Sequence, residues 1–214
     1  MVSPSPATPK ESSRLRSKTP LFLILAICLA PVVFALLAYY VPALGLRPQE
    51  ASNYGELIQP QRPVPDATAL PLATLDGKPF DLNSLHGKWI LVSADDGACP
   101  ESCVEKLFIL RNSHASQGKN VERLTRVWFV MDDAPVSAQI LEAYQGTNML
   151  RADPEKLAAY LAPKASAAER EAALKAPMWI IDPLGNLMME FPADADPISV
   201  RNDISKLIRN SRIG

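Results

Sequence analysis

The stretch Trp89–Leu110, WILVSADDGACPESCVEKLFIL, carries the clearest structural signal in the chain. It begins with a short apolar run, Trp89–Val92, of the kind that a buried parallel strand gives. A polar break follows the run, and apolar residues then recur at the spacing of a helix at Val104, Leu107, Phe108 and Leu110. The stretch therefore predicts a strand, a loop ending in Cys99, and a helix that carries Cys103 in its first turn.

The start of this helix holds the two cysteines of interest. Four residues separate Cys99 from Cys103, so they lie on one face about one turn apart. Pro100 suits a place near the first helical position, where its missing N–H costs nothing, and Glu101 suits the positive end of the helix dipole. The N-terminal amides also favour a thiolate over a thiol. This geometry is typical of either a disulfide or a shared soft metal ion.

The composition of the whole chain limits the alternatives. The 214 residues carry a net charge of -1, so we expect no nucleic-acid partner. Cys28 lies inside a hydrophobic stretch, which leaves a single cysteine pair, too few for a disulfide-scaffolded domain. The two histidines, His86 and His114, are expected at the surface. His114 comes eleven residues after Cys103, about three helical turns away, and is too far to share its metal ion.

The N-terminal part predicts a membrane anchor. Residues 1–20 are polar and rich in Ser and Pro, with four basic residues and one acidic residue, and are expected to be a disordered tail. Residues 21–46 contain no charged residue and predict a transmembrane helix. A cleaved signal peptide is the alternative, but the apolar stretch is long for one. Because a basic flank stays in the cytoplasm, we expect a single-pass protein of the bacterial inner membrane with its C-terminal part in the periplasm.

The rest of the chain predicts one α/β domain. Residues 47–66 are polar and Pro-rich and are expected to be a linker, followed by the domain at 67–214. Its expected order is β-α-β-α, then a hairpin and a helix, which gives a mixed sheet flanked by helices on both faces. The elements predicted after the cysteine helix are strands at Arg126–Met131, Asn148–Arg151, Met178–Ile181 and Asn186–Phe191, and helices at Ser137–Tyr144, Pro154–Leu161, Ala165–Lys175 and Pro197–Asn210.

This order, with a cysteine pair between the first core strand and its helix, resembles the thioredoxin fold. Within that fold, the C-P-E-S-C motif of Cys99–Cys103 resembles the C-P-[DE]-x-C of the SCO/SenC family, membrane-anchored copper proteins that help assemble cytochrome c oxidase. Val127–Tyr144 resembles that family's second strand, acidic-proline turn and helix, and Trp179–Phe191 resembles its late hairpin. Over about residues 67–210, the resemblance implies a role in cytochrome c oxidase assembly, with an oxidase subunit or another copper chaperone as partner.

The chain departs from that family at its metal site. The family has a proline after the second cysteine, where this chain has Val104. The family's copper-binding histidine falls at Leu174, counted back from Pro183, and residues 115–214 contain no histidine. Pro177 stands where thioredoxins carry their cis-proline, at the start of a strand that faces the cysteines, so it is included with Cys99 and Cys103 as a catalytic-site residue.

The incomplete metal site favours thiol–disulfide exchange over stable copper carriage. Cys99, at the exposed end of the helix, is expected to be the nucleophile and Cys103 the resolving cysteine. Cu(I) transfer is the alternative, and because Cu(I) prefers thiolate and thioether ligands, Met178 is the one residue nominated as a third ligand. A methionine that fills a gap in the core is the simpler interpretation. Asp95 and Asp96 are assigned to the loop, with proton transfer beside Cys99 as an alternative.

Two further functions stay open at this point. The protein could be a non-catalytic assembly factor whose disulfide is structural, or whose cysteines are inert. It could also be a general periplasmic disulfide reductase that serves cytochrome c maturation. The response of function to Cys99→Ser alone separates exchange chemistry from the first of these.

Overall fold

The computed structural model describes residues 18–41 and 53–213. The chain divides into two compact units, 1–51 and 52–214, which are described separately. The predicted tail up to residue 17, the end of the predicted anchor at 42–46 and the first part of the predicted linker at 47–52 lie outside the described residues.

The first unit contains helix α1, Thr19–Tyr40, of 22 residues, and its most apolar 18-residue window has a mean hydropathy of 3.0. Pro31 lies inside it and Lys18 precedes it. At 1.5 Å per residue the helix is about 33 Å long, enough for a hydrocarbon core of about 30 Å. Among the described residues it is the one helix that is long and apolar enough to cross a membrane.

The second unit is built on an eight-stranded mixed sheet. Along the sheet the strands run in the order β1-β8-β7-β4-β5-β6-β2-β3. The central strands β4, β5 and β6 are parallel, and every other neighbouring pair is antiparallel. The strands are β1 Glu56–Pro63, β2 Leu72–Thr74, β3 Pro79–Phe80, β4 Trp89–Asp95, β5 Leu124–Val130, β6 Asn148–Ala152, β7 Met178–Ile181 and β8 Asn186–Phe191.

Five helices flank the sheet: α2 Glu101–Ala115, α3 Ala138–Ala143, α4 Pro154–Leu161, α5 Arg170–Lys175 and α6 Pro197–Asn210. The side chains of Asp153 and Asp196 cap α4 and α6 by accepting amide hydrogen bonds, and each cap is followed by a proline at the first helical position. Helix α5 is shorter than predicted. The side chain of Glu169 accepts hydrogen bonds from the amide and hydroxyl of Ser166, so residues 166–169 form a turn before the helix begins.

The two faces of the sheet bury separate clusters, because successive side chains of a strand point to opposite faces. One cluster contains Cys99 and Cys103 and is covered by α2 and α6, and we call its side the cysteine face. The other cluster is covered by α4 and by Leu174 of α5. The predicted mixed sheet with helices on both faces is confirmed.

The domain begins earlier than the sequence predicts. Residues 56–63, assigned to the linker, form β1 and pair antiparallel with β8. Just before β1, the amides of Tyr54 and Gly55 donate to the buried carboxylate of Asp203 at 2.5 and 3.0 Å. The prolines of this segment indicated a linker, but β1 is an edge strand, where a missing N–H is tolerated.

Candidate functional site

The cysteine pair forms a disulfide at the N-terminus of α2. Cys99 and Cys103 are bonded, with their Cα atoms 5.1 Å apart. Both are buried, with 7% of Cys99 and 1% of Cys103 exposed. Cys99 was predicted to be exposed, but it is buried. It is nevertheless the more accessible of the two cysteines.

The helix start around the disulfide is close to the prediction. Pro100 is the N-cap residue instead of the first helical residue, and α2 begins at Glu101 with Cys103 in its first turn. No side chain caps this end, so no side chain accepts a hydrogen bond from the amides of the first turn. Those amides and the helix dipole favour negative charge on a sulfur released by reduction.

The loop before α2 holds Cys99 in an unusual backbone conformation. Its φ of 46° lies in the left-handed region, which costs a non-glycine residue roughly 1–2 kcal/mol. The amide of Cys99 donates to the Asp96 carbonyl at 3.0 Å, and the amide of Gly97 donates to Oδ1 of Asp132 at 2.8 Å. A Cβ at position 97 would overlap the carbonyl oxygen of Ala134. We call residues 96–100, between β4 and α2, the cysteine loop. The loop after β5 therefore contacts the cysteine loop and limits its movement.

A buried ion pair lies next to the cysteine loop. Nζ of Lys106 is 3.0 Å from Oδ2 of Asp95, and their side chains are 7% and 2% exposed. Nζ also donates to the Ala94 carbonyl at 2.8 Å and to the carbonyl of Lys175. Asp95 was assigned to the loop, but it is the last residue of β4 and points to the cysteine face. Burial lowers the pKa of Lys106, and the contact with Asp95 opposes this shift.

A second ion pair lies closer to the solvent. Nζ of Lys175, on α5, is 2.6 Å from Oδ2 of Asp96 and 2.5 Å from Oε1 of Glu171. Partial burial lowers the pKa of Lys175, but the hydrogen bonds to Asp96 and Glu171 outweigh it and leave the pKa raised. Together the two pairs connect the end of β4, the cysteine helix and α5.

Met178, nominated as a third ligand, lies on the cysteine face of the sheet. It is 1% exposed and belongs to the same cluster as both cysteines. In the antiparallel pairing of β4 with β7 it stands opposite Ser93, whose buried hydroxyl has no hydrogen-bond partner among the described residues. Pro177 precedes it and is buried. Among the described residues only the Gln59–Pro60 bond is cis, so the bond before Pro177 is trans.

The other residues considered as ligands lie elsewhere. Leu174, at the position of the resembled family's histidine, is fully buried in the cluster on the opposite face of the sheet. His86 is exposed, and His114 is half-buried near the far end of α2, where burial and the nearby Arg126 lower its pKa. In residues 18–41 and 53–213, no group of three or more His, Cys, Asp or Glu residues could hold a metal ion.

A cleft of about 830 Å³ opens along the first turns of the cysteine helix, lined by Ser102 and Val104 on either side of Cys103, although neither cysteine lines it. It is bounded by α2, by the start of β7 with Met178, and by the segment between β8 and α6. The lysines of both ion pairs, Lys106 and Lys175, line it. A partner segment placed in this cleft would lie next to the N-terminus of the cysteine helix.

Lys106 was missed by the sequence analysis. Its signal was present, because it follows Cys103 by three residues on α2 and lies between Val104 and Leu107, on the apolar side of the helix. A lysine at such a position must find a buried anion, and Asp95 at the end of the preceding strand was available.

Comparison with known proteins identifies the fold. The sequence profile of the family described as "Transmembrane-like, thioredoxin-like, C-terminal domain" matches residues 89–211. No curated protein matches the sequence.

Solved structures with the same fold include Sco proteins and a thiol:disulfide interchange protein. The apo Sco1 protein from Thermus thermophilus has a TM-score of 0.54 and 18% identity, covering 74% of this chain and 99% of that chain. ScoI from Arabidopsis thaliana, with copper bound, has a TM-score of 0.50 and 18% identity, covering 74% and 99%. A thiol:disulfide interchange protein from Bacteroides sp. has a TM-score of 0.51 and 15% identity, covering 71% and 91%.

At identities below 20%, the similarity to the solved structures shows only a common fold. Sco proteins have this fold, in agreement with the resemblance of the cysteine motif. The profile match extends over more than half of the chain. The chain therefore belongs to the family of transmembrane-like, thioredoxin-like C-terminal domains.

Proposed function

We propose that this protein is a membrane-anchored thiol–disulfide exchange protein that acts in cytochrome c oxidase assembly, where it keeps the copper-site cysteines of a partner reduced. The observation that carries the proposal is the Cys99–Cys103 disulfide at the uncapped N-terminus of α2, beside an open cleft. A purely structural disulfide needs neither a helix N-terminus nor a cleft. The process rests on the resemblance of the C-P-E-S-C motif to the SCO/SenC family.

The exchange proceeds in two balanced steps. In the reduced protein, the Cys99 thiolate attacks one sulfur of the partner's disulfide, forming a mixed disulfide and releasing the partner's other sulfur as a thiolate. The Cys103 thiolate then attacks Sγ of Cys99, which forms the Cys99–Cys103 bond and releases the second partner sulfur. Two electrons pass to the partner, whose thiolates take up two protons. A dithiol reductant must regenerate the reduced pair.

The surroundings of the pair suit these steps. The amides and dipole of α2 stabilise the thiolate that attacks or leaves. The ion pair of Lys106 with Asp95 holds the end of β4 against α2. Because β4 precedes the cysteine loop and α2 follows it, the pair also fixes both ends of that loop. The bond from Gly97 to Asp132 holds the same loop from the neighbouring strand. These contacts limit the motion of Cys99 when the disulfide opens.

Transfer of Cu(I) as cargo is the second candidate, and one observation favours it. Met178 lies in the same buried cluster as Cys99 and Cys103, so two thiolates and a thioether could approach one soft ion. The donor set fits Cu(I) better than Cu(II), because two thiolates without a histidine would tend to reduce Cu(II) and form the disulfide. We therefore expect weak Cu(I) binding and no well-defined Cu(II) form.

We infer that the domain faces the periplasm of a bacterial cell. The basic residues before α1 would stay in the cytoplasm, which orients residues 47–214 outside it. A reporter that is active only after export, fused after Gly214, should be active in cells. Activity of a reporter that works only in the cytoplasm, fused at the same place, would overturn this orientation.

Trapping of the partner tests the exchange directly. In Cys103→Ser the mixed disulfide between Cys99 and the partner cannot resolve and should accumulate in cells, whereas Cys99→Ser should trap nothing. Loss of oxidase activity in Cys99→Ser cells, with normal amounts of the protein, would complete the evidence. If Cys99→Ser cells assemble a fully active oxidase, the disulfide is structural and the protein is a non-catalytic factor.

A further inference from the structure

The cleft beside the disulfide has the properties of a protein-binding groove. Its volume is about 830 Å³. Its walls include the apolar side chains of Phe108, Ile109, Met178 and Ala195. Phe108 is 54% exposed, which is high for a large aromatic residue on the helix that also carries Cys103. Exposed aromatic surface next to an apolar cleft is typical of an interaction site.

The rim of the cleft carries unpaired negative charge. Glu101, Glu105 and Asp194 border it, all three are exposed, and none of them takes part in an ion pair with another described residue. The two lysines of the cleft differ in this respect, since Lys106 is paired with Asp95, and Lys175 with Asp96 and Glu171. The rim therefore presents three free carboxylates around an apolar floor.

We propose that this cleft binds a short segment of the partner polypeptide in which apolar residues and at least one lysine or arginine flank the reacting cysteine. The apolar residues would fill the cleft, and the basic residue would meet the carboxylates of the rim. Complementary charge of this kind favours a matched partner, and like charge at the same place is costly, so the rim discriminates between basic and acidic segments. The inference rests on the proposed function, because the disulfide gives a cysteine-bearing partner its reason to lie here.

The charge of the rim also argues against other occupants. An anionic lipid headgroup or a free phosphate would meet three carboxylates and no unpaired cation at this rim. A segment rich in acidic residues would be repelled for the same reason. An apolar segment with a basic residue is therefore the occupant that both the floor and the rim accept.

Two labelled peptides test the inference with the full chain in detergent. Each has the same four apolar residues around one serine, flanked by two lysines in one peptide and by two glutamates in the other. Fluorescence anisotropy at low ionic strength should show at least tenfold tighter binding of the lysine peptide to the oxidised protein. The preference should shrink as salt is added. Equal binding of the two peptides would overturn the inference.

A charge-reversed variant and a cysteine version of each peptide complete the test. Glu105→Lys/Asp194→Lys should reverse the preference, whereas the matched control Glu56→Lys/Glu142→Lys, with both changes away from the cleft, should keep it. If the preference survives Glu105→Lys/Asp194→Lys, the rim is not its source and the inference is wrong. Peptides with cysteine in place of serine report exchange separately. If the lysine peptide binds but its cysteine form never opens the Cys99–Cys103 bond, the docking surface stands and the proposed function fails.

Discussion

Lys106, on the cysteine helix, holds its Nζ atom 3.0 Å from Oδ2 of Asp95, the last residue of the strand that precedes the cysteine loop. The pair is buried, and its lysine lines the cleft beside the disulfide. It thus connects the two elements between which Cys99 and Cys103 are held.

Removal of the lysine should destabilise the domain strongly. Lys106→Met leaves the Asp95 carboxylate buried without a cation, which typically costs about 3–5 kcal/mol of unfolding free energy. Denaturant unfolding of the full chain in detergent, followed by tryptophan fluorescence, measures the loss. The exposed Lys156→Met on α4 is the control and should change stability by less than about 0.5 kcal/mol. Similar midpoints for both variants would contradict a buried ion pair.

Substitution of Gly97 should disturb the cysteine loop. In Gly97→Ala the new Cβ would overlap the Ala134 carbonyl, so the loop must shift away from Asp132. We expect a loss of about 1–3 kcal/mol, as for other overpacking changes, and a changed rate of reduction by dithiothreitol. Ala98→Ser, at an exposed neighbour, serves as the control. Wild-type reduction kinetics in Gly97→Ala would show that this contact does not position Cys99.

Met178→Leu separates packing from metal binding. The volume is nearly conserved, so the free energy of unfolding should change by less than about 1.5 kcal/mol. If the thioether binds Cu(I), the affinity measured by anaerobic competition with a chelator should fall. The structure changes the expectation for Leu174→His, which would bury an imidazole on the opposite face of the sheet and destabilise the domain without improving the copper site. An unchanged Cu(I) affinity in Met178→Leu would show that Met178 is not a ligand and that the two cysteines alone bind the ion.

Asp203→Asn tests the early start of the domain. The carboxylate of Asp203 accepts the amides of Tyr54 and Gly55, and hydrogen bonds to a charged group are worth about 1.5–3 kcal/mol. The variant should therefore be cleaved faster by protease near residue 54, and its β1 strand should lose protection in hydrogen exchange. Asn202→Ala is the matched control. An unaltered cleavage rate would indicate that residues 53–55 belong to the linker, as the sequence predicted.

Asp76 gives a pH dependence with a definite sign. Hydrogen bonds from Lys78 and from the Thr74 hydroxyl lower the pKa of Asp76 from 3.8 to about 2. Because the pKa is lower in the folded state, Asp76 stabilises the domain above its unfolded pKa, and this stabilisation is lost as the pH falls from about 4 to 2. A carboxyl NMR titration of Asp76 should show the low value, and Thr74→Val should raise it. A titration midpoint near 4 would contradict these hydrogen bonds.

Local sequence signals predicted much of the domain because they act at short range. Helix α4 has the predicted bounds, Pro154–Leu161, since Asp153 caps it and Pro154 occupies its first position. The hairpin of β7 and β8 has its predicted bounds, and the carboxylate of Asp182 accepts the amides of Leu184 and Asn186 in its turn. The cysteine helix was found because most of its apolar residues, including Leu107 and Leu110, face a single core cluster, although Phe108 of the same pattern is exposed.

The sequence did not predict features that depend on distant contacts. Strand β1 is stabilised by β8, 130 residues later in the chain, and its prolines hide it from pattern analysis. The partner of Lys106 lies eleven residues earlier, on a different element. The counting that aligned Leu174 with a histidine ignored the face of the sheet, and that face is defined only once α5 is packed. The cleft follows from the arrangement of three elements and leaves no local signature.

A redox titration of the Cys99–Cys103 pair in the full chain, with dithiol buffers and thiol alkylation as the readout, distinguishes an exchanging disulfide from a structural one. Thiol–disulfide exchange predicts a reversible two-electron transition at a potential above about −300 mV, where exchanging disulfides lie. In the reduced protein, Cys99 should be alkylated faster than Cys103. A disulfide that stays oxidised well below about −300 mV, or that is reduced only when the domain unfolds, would contradict the account and identify a structural disulfide.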